Sequence, residues 1–146
     1  CWAFSATEAM ADRFCIASKG SINKQLSPQD MVSCDKGDMG CQGGYLQKLW
    51  QYFEQTGVVS DNCLPYKSGS GYVPACPTTC SPGATDQWHK YKAQSGSTKN
   101  FNSVAAAQAD ILANGPIQAG FKVYRDFFSY KSGVYKYVTF SCLISK

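Results

Sequence analysis

Apolar residues at the head of the chain recur at steps of three and four: Ala3, Ala6, Met10 and Phe14. That spacing marks one face of a helix and predicts one from about Trp2 to Lys19, with Gly20 as its stop. Next comes Ser27-Pro28-Gln29-Asp30. Ser27 can cap a helix, Pro28 suits the first helical position, and Asp30 stands where a capping-box acid belongs. A short helix through Met31, Val32 and Cys34 follows. From Cys34 to Gly44 the pattern dissolves into Gly, Asp and Cys, which reads as a loop pinned by its cysteines. Periodicity returns at Leu46, Leu49, Trp50 and Phe53 and predicts a third helix over Tyr45 to Gln55, ended by Gly57.

From Ser60 to about Ser97 neither period is sustained. Pro65, Pro74, Pro77, Pro82, several glycines and three cysteines make this an irregular, disulfide-stapled excursion. A short helix is predicted over Ser103 to Ala113, ended by Asn114-Gly115-Pro116. Ile117, Ala119, Phe121 and Val123 then alternate with other residues, a strand signal. Tyr124 to Val138 is aromatic and β-prone, with a turn at Lys131-Ser132-Gly133. A helical front and a β-rich back predict an α+β fold of two lobes. Residues 1–95 form the helical, disulfide-stapled one and residues 96–146 the start of the β-rich one.

Composition refines this picture in three ways. The net charge of +4 is spread over many segments without a run or a basic helix stripe, which argues against a nucleic-acid partner. No apolar stretch reaches spanning length, so no membrane segment is predicted. Of the eight cysteines, seven lie between Cys1 and Cys80, a density that points to an oxidising compartment and a disulfide framework. Such a protein requires a targeting segment, and the sequence shows none and begins without methionine. The expectation is therefore an internal portion of a longer protein.

Cys1 is the first candidate for chemistry. A thiol at a helix N-terminus faces unpaired N–H groups and the positive end of the helix dipole, which favour the nucleophilic thiolate. Taken alone, this stretch is equally compatible with a structural cysteine or half of a disulfide. Two further motifs change the balance: Cys41-Gln42-Gly43-Gly44-Tyr45 and Asn114-Gly115-Pro116-Ile117. With Cys1-Trp2-Ala3-Phe4, their order and spacing resemble the papain family of cysteine proteases. That family's signature is Cys-Gly-[Ser/Ala]-Cys-[Trp/Tyr], of which Cys1-Trp2 would be the last two residues. Within the family, Asp12-Arg13-Phe14-Cys15-Ile16, Val123-Tyr124-Arg125-Asp126-Phe127 and Tyr130-Lys131-Ser132-Gly133-Val134-Tyr135 are most similar to the cathepsin B branch. The likeness runs to about Thr139.

The resemblance implies roles. Cys1 would be the nucleophile that forms an acyl-enzyme, and its backbone N–H part of the oxyanion hole. Trp2 would pack beside the site. Gly44 would hydrogen-bond an extended substrate backbone, and Gly43 would shape the same wall. Tyr45, Leu46 and Gly120 would line the pocket for the substrate residue two before the cut. Cys34 would pair with Cys76 and Cys63 with Cys80, each loop closure contributing on the order of 3–4 kcal/mol. Cys15 and Cys41 would pair with cysteines upstream of residue 1. Zinc binding by Cys63, Cys76 and Cys80 is the weaker alternative, given one histidine and an oxidising context. No metal and no cofactor are expected. The expected partners are peptide or protein substrates, a propeptide and cystatin-type inhibitors, acting on a monomer that is lysosomal, vacuolar or secreted.

Two departures from the family bear on activity. The cathepsin B branch carries an occluding loop with paired histidines that hold a substrate's C-terminal carboxylate. Here Tyr66 to Cys76 is short and lacks histidine, which implies endopeptidase action without dipeptide trimming. The second departure concerns the histidine and asparagine that complete a papain-type site. Both lie downstream of Tyr135 in the family, and the tail Phe140 to Lys146 does not resemble it there. His89, the single histidine, sits in the polar stretch Gln87-Trp88-His89-Lys90 and reads as a surface residue. The 146 residues alone are thus expected to be inactive. Two other readings fit parts of the sequence. A processed N-terminal nucleophile amidohydrolase needs N-terminal strands where this chain predicts helix. A secreted disulfide-stabilised binding protein would keep the fold without catalysis.

Overall fold

A computed structural model describes residues 1–136 of the 146-residue chain. The tail at 137–146, with Cys142, lies outside the described residues. Four α-helices follow one another: α1 (Trp2–Ala17), α2 (Pro28–Cys34), α3 (Leu46–Gln55) and α4 (Val104–Asn114). Short 3₁₀ turns occupy Gly40–Gln42 and Arg125–Ser129.

The predicted stripe of α1 is the buried one. Trp2, Ala3, Ala6, Thr7, Ala9 and Met10 turn inward, and Phe14 is half-buried against the same cluster. Small alanines let α1 lie close to α2 and α3. From α2 come Met31 and Val32, and from α3 Leu49 and Phe53. Fully burying a side chain of this size contributes about 1.5–3 kcal/mol. Helix α1 ends two residues earlier than its pattern predicts. Ser18 is its C-cap, and Lys19 and Gly20 both take positive φ, 54° and 86°, reversing the chain. At the end of α3, Gly57 donates its N–H to Tyr52 O at φ +75°. A Cβ there would stand 2.5 Å from Tyr91 O, so glycine is required on both counts.

Helix α2 begins as its sequence predicts, with one correction. The Ser27 hydroxyl accepts the Asp30 N–H at 3.0 Å and Pro28 takes the first helical position. Asp30 does not complete a capping box. Its carboxylate, wholly buried, accepts Lys90 Nζ at 2.6 and 2.7 Å, the Tyr52 hydroxyl at 2.9 Å and the Val59 N–H at 2.8 Å. A charge taken out of water requires such partners, and the four bonds from these three outweigh the single bond a cap offers. This network joins α2, α3 and the irregular excursion. Disulfides Cys34–Cys76 and Cys63–Cys80 pin the rest of that excursion, around a small cluster of Val59, Cys63 and Leu64.

The back half differs from its pattern. Among the described residues, 117–123 makes no strand ladder, and Arg125–Ser129 is a 3₁₀ turn. Isolated bridges join Leu26 to Ser60 and Val58 to Tyr91. Alternation sets which side chains share a face, but a ladder also needs a neighbouring strand. Polar staples hold this half to α1 instead. Arg13 donates to Pro116 O at 2.7 Å, to Gly115 O at 3.2 Å and to Asp110 at 2.6 Å. Gly115, at φ +105°, lies so close to α1 that a Cβ would stand 2.6 Å from Ile16 Cδ1.

Candidate active site

Cys1 is the N-cap residue of α1, and its side chain caps nothing. It is a free thiol and exposed. The first turn of α1 carries no acidic residue to oppose negative charge there. The Cys1 carbonyl is held from within the helix by the Ser5 N–H at 3.1 Å and the Ser5 hydroxyl at 3.0 Å.

Trp2, next in the chain, is 9% exposed, and its indole N–H donates to Gly40 O at 2.9 Å. This bond brings the Cys34–Gly44 loop to the head of α1. Gly44 then lies against the indole face. A Cβ on Gly44 would stand 2.5, 2.8 and 2.9 Å from Trp2 ring atoms, so the position admits no side chain. The need for glycine here thus comes first from Trp2 packing. Among the described residues no hydrogen bond uses the Gly44 backbone. Gly43, at φ +121°, accepts the Met39 N–H at 3.0 Å and closes the loop.

Two acids brace the same loop. Asp38 accepts the Tyr45 N–H at 2.6 Å, and Asp35 accepts the Gly37 N–H at 2.8 Å. The second oxygen of each carboxyl is buried without a partner among the described residues. Burial, followed by the neighbouring Asp38 charge, pushes the Asp35 carboxyl up to about 6.

Tyr45, Leu46 and Gly120 come together separately from Cys1. They share the wall of an open groove of about 1350 Å³ that also takes in Trp50, Ile117 and Gln118. Among the described residues a Cβ on Gly120 would meet only Leu46 Cδ1, at 3.8 Å, so space remains there. The expected site residues therefore form two adjoining patches. Cys1, Trp2, Gly43 and Gly44 make one and Tyr45, Leu46 and Gly120 the other, with the Gly44–Tyr45 peptide between them.

His89 packs toward the far end of α1 from Cys1. Its ring packs edge-on against Tyr91, centroids 4.8 Å apart, and Tyr91 in turn packs on Phe14. Phe14 is thirteen residues along α1 from Cys1, about 20 Å at the helical rise. Cys15 and Cys41 are free thiols. With Cys63 bonded to Cys80 and Cys76 to Cys34, the zinc alternative has no thiols left to use. The Tyr66–Cys76 stretch is short and tied down. Tyr66 packs edge-on to Phe4, and Ser68 is buried and accepts from Gln29.

Sequence reasoning missed Gly40, Asp38, Ser5 and Gln118. Of these only Gln118 carried a signal, as a polar residue set within an apolar alternating run.

Residues 1–144 match the papain family of cysteine proteases, and the chain belongs to that family. It is 43% identical over 138 residues to cathepsin B-like CP3 of Giardia intestinalis, covering 94% of this chain and 46% of that protein. It is 37% identical over 150 residues to cathepsin B of Dictyostelium discoideum, covering 95% and 48%. Among solved structures it superposes on procathepsin B S9 from Trypanosoma congolense with a TM-score of 0.80 at 29% identity, covering 97% of this chain and 48% of that one. The fold is thus papain-like α+β. The chain spans about half the length of the relatives it matches.

Proposed function

We propose that Cys1 is the nucleophile of a cathepsin B-like cysteine endopeptidase. The carrying observation is an exposed, uncommitted thiol at the N-cap of α1, beside Trp2 and a Gly44 backbone that makes no hydrogen bond among the described residues. Cys1 Sγ attacks the scissile carbonyl carbon, the C–N bond breaks, and the amine leaves with a proton. Water then hydrolyses the thioester and restores the thiol. The Cys1 N–H donates to the oxyanion. Gly44 pairs with the extended substrate backbone, Gly43 shapes that wall, and Tyr45, Leu46 and Gly120 receive the side chain two residues before the cut. Residues 1–95 serve as the helical lobe and the rest as the start of the other.

The short, histidine-free Tyr66–Cys76 stretch leaves the cleft open, which supports endopeptidase action without release of C-terminal dipeptides. The two disulfides support a lysosomal, vacuolar or secreted location. A propeptide and cystatin-type inhibitors are the further partners, in keeping with the proenzyme among its structural relatives. The proton acceptor for Cys1 is not His89, which packs through Tyr91 on Phe14, thirteen residues along α1, so the 146 residues alone are expected not to turn over. The remoteness of His89 also favours a second reading, a non-catalytic homologue that binds peptides.

The test is to assay the full-length protein on a dipeptidyl fluorogenic amide. Turnover abolished by Cys1→Ala supports the proposal. A wild type that binds peptide without turnover establishes the second reading. Turnover that survives Cys1→Ala overturns the role of Cys1.

A further inference from the structure

Gln118 is the one side chain of the 117–123 segment that bonds to two helices of the front half. Its Nε2 donates to Trp2 O at 3.0 Å and to the Ser5 hydroxyl at 2.8 Å, and its Oε1 accepts the Trp50 indole N–H at 2.9 Å. Both amide hydrogens are used, and the acceptor is used as well. The Ser5 hydroxyl, once it has accepted from Gln118, donates to the Cys1 carbonyl. A relay therefore runs from Trp50 on α3 through Gln118 and Ser5 to the backbone of Cys1. Its partners lie 113, 116 and 68 residues from Gln118 in the chain.

We infer that Gln118 is the positioning residue for Cys1, acting through Ser5 and Trp2 and not on the substrate. The inference rests on the reading of Cys1 as nucleophile. The first turn of a helix is its weakest part, because its N–H groups lack intrahelical partners and its end frays. Cys1 lies at that end, with no side-chain cap. Gln118 clamps the turn from outside, at the carbonyl and hydroxyl one and four residues beyond the thiol. The same amide ties the turn to the segment that carries Gly120, so the nucleophile and the pocket wall keep a common register. A misplacement of about 1 Å at a nucleophile costs on the order of a hundredfold in rate, so a grip of this kind bears on kcat.

Two variants of the full-length protein test this. Gln118→Met keeps the length and removes both donors. Gln118→Glu keeps an acceptor for Trp50, and its carboxyl donates one hydrogen bond only when protonated. Activity on a dipeptidyl amide gives kcat and KM. Alkylation by iodoacetamide, mapped to Cys1 by mass spectrometry, reads the thiol without turnover.

For Gln118→Met we expect kcat to fall about tenfold with KM within about twofold, and Cys1 alkylation to slow by a similar factor. Activity is measured far below the melting temperature, so a merely structural role would leave kcat unmoved. For Gln118→Glu the kcat ratio to wild type should rise severalfold between pH 7 and pH 4.5, as the carboxyl gains its proton. Wild-type kcat and alkylation in Gln118→Met overturn the inference, as does a Gln118→Glu ratio that does not change with pH. If the wild type shows neither turnover nor a Cys1 more reactive than a peptide thiol, the nucleophile reading has failed. The alkylation ratio between wild type and variant then judges Gln118 by itself.

Discussion

The front of the molecule and its back are held by different forces. From Trp2 to Ser68 the chain has a dry core, with Ala6, Met31, Leu49, Phe53, Val58 and Val59 essentially without exposure. Beyond Ser68 no described residue is buried. Helix α4 shows the contrast most clearly: Val104 is 74% exposed and Leu112 91%. Two disulfides and the packing of Tyr91 join the start of the back to the front, and beyond Gln94 what joins them is largely directional and polar. Arg13 grips Gly115, Pro116 and Asp110, Gln118 grips α1 and α3, and Glu54 accepts from Thr98 and Gly96. Apolar burial tolerates small shifts because it has no direction, whereas a hydrogen bond loses its strength within a few tenths of an ångström. Among the described residues, the front is thus held mainly by apolar burial and its junction with the back by directed bonds.

The comparison can be broken most sharply at Phe53. Phe53→Ala empties a fully buried site and is expected to cost about 3–5 kcal/mol, while Leu112→Ala on α4 should stay within about 0.5 kcal/mol. Chemical denaturation of both variants measures the gap, and equal losses would mean that α4 is as well packed as α3. Asp30→Ala should cost somewhat less, about 2–4 kcal/mol, since it leaves the buried Val59 N–H without its acceptor and Lys90, partly open to water, without its counter-charge. The same denaturation midpoints read it.

A smaller effect separates the two glycines of the cleft. Gly44→Ala drives a methyl into the Trp2 ring and is expected to destabilise by about 1–3 kcal/mol, whereas Gly120→Ala meets only ordinary contact and should change stability by under about 0.5 kcal/mol. Indistinguishable melting temperatures would remove the packing reason for Gly44.

The smallest expected effect is a pH dependence. The folded Asp35 carboxyl sits at about 6, above its usual value, chiefly through burial. The stability it contributes is therefore complete below about pH 4 and is lost as pH rises through about 6. The titratable groups that act on it are Asp38 on its own loop and the neutral Tyr52 hydroxyl on α3. Asp35→Asn should flatten the fall in Tm between pH 4 and 7. An unchanged slope would assign that fall to other groups.

The helices were legible because their signals are local. Steps of three and four located α1 and α3, Ser27-Pro28 opened α2, and Gly57 closed α3, each within a residue or two. The strand at 117–123 misled for the opposite reason. Alternation is local too, but a ladder depends on a partner elsewhere, and these residues turn their polar group to α1. Asp30 failed as a cap for the same kind of reason. A capping box spans three residues, while Lys90, sixty residues away, offers a full charge.

The glycines divide along the same line. Resemblance picked out Gly43 and Gly44, but the Trp2 ring that forbids a side chain at Gly44 reaches it only in the fold. The likeness to the papain family rests on three short motifs in order, and those are sequence features through and through. They singled out Cys1 and the pairs Cys34–Cys76 and Cys63–Cys80.

By itself, then, the sequence determined the helical elements, the family, and which thiol stands at a helix N-terminus, since each depends on spacing within a few residues. Only the tertiary structure decided that Gln118 clamps the first turn of α1, that Gly44 abuts Trp2, that Asp30 answers Lys90 and that His89 packs through Tyr91 on Phe14. Those are pairings between residues far apart in the chain. No local period encodes them, because they exist only once the core has packed and brought the distant groups within bonding reach.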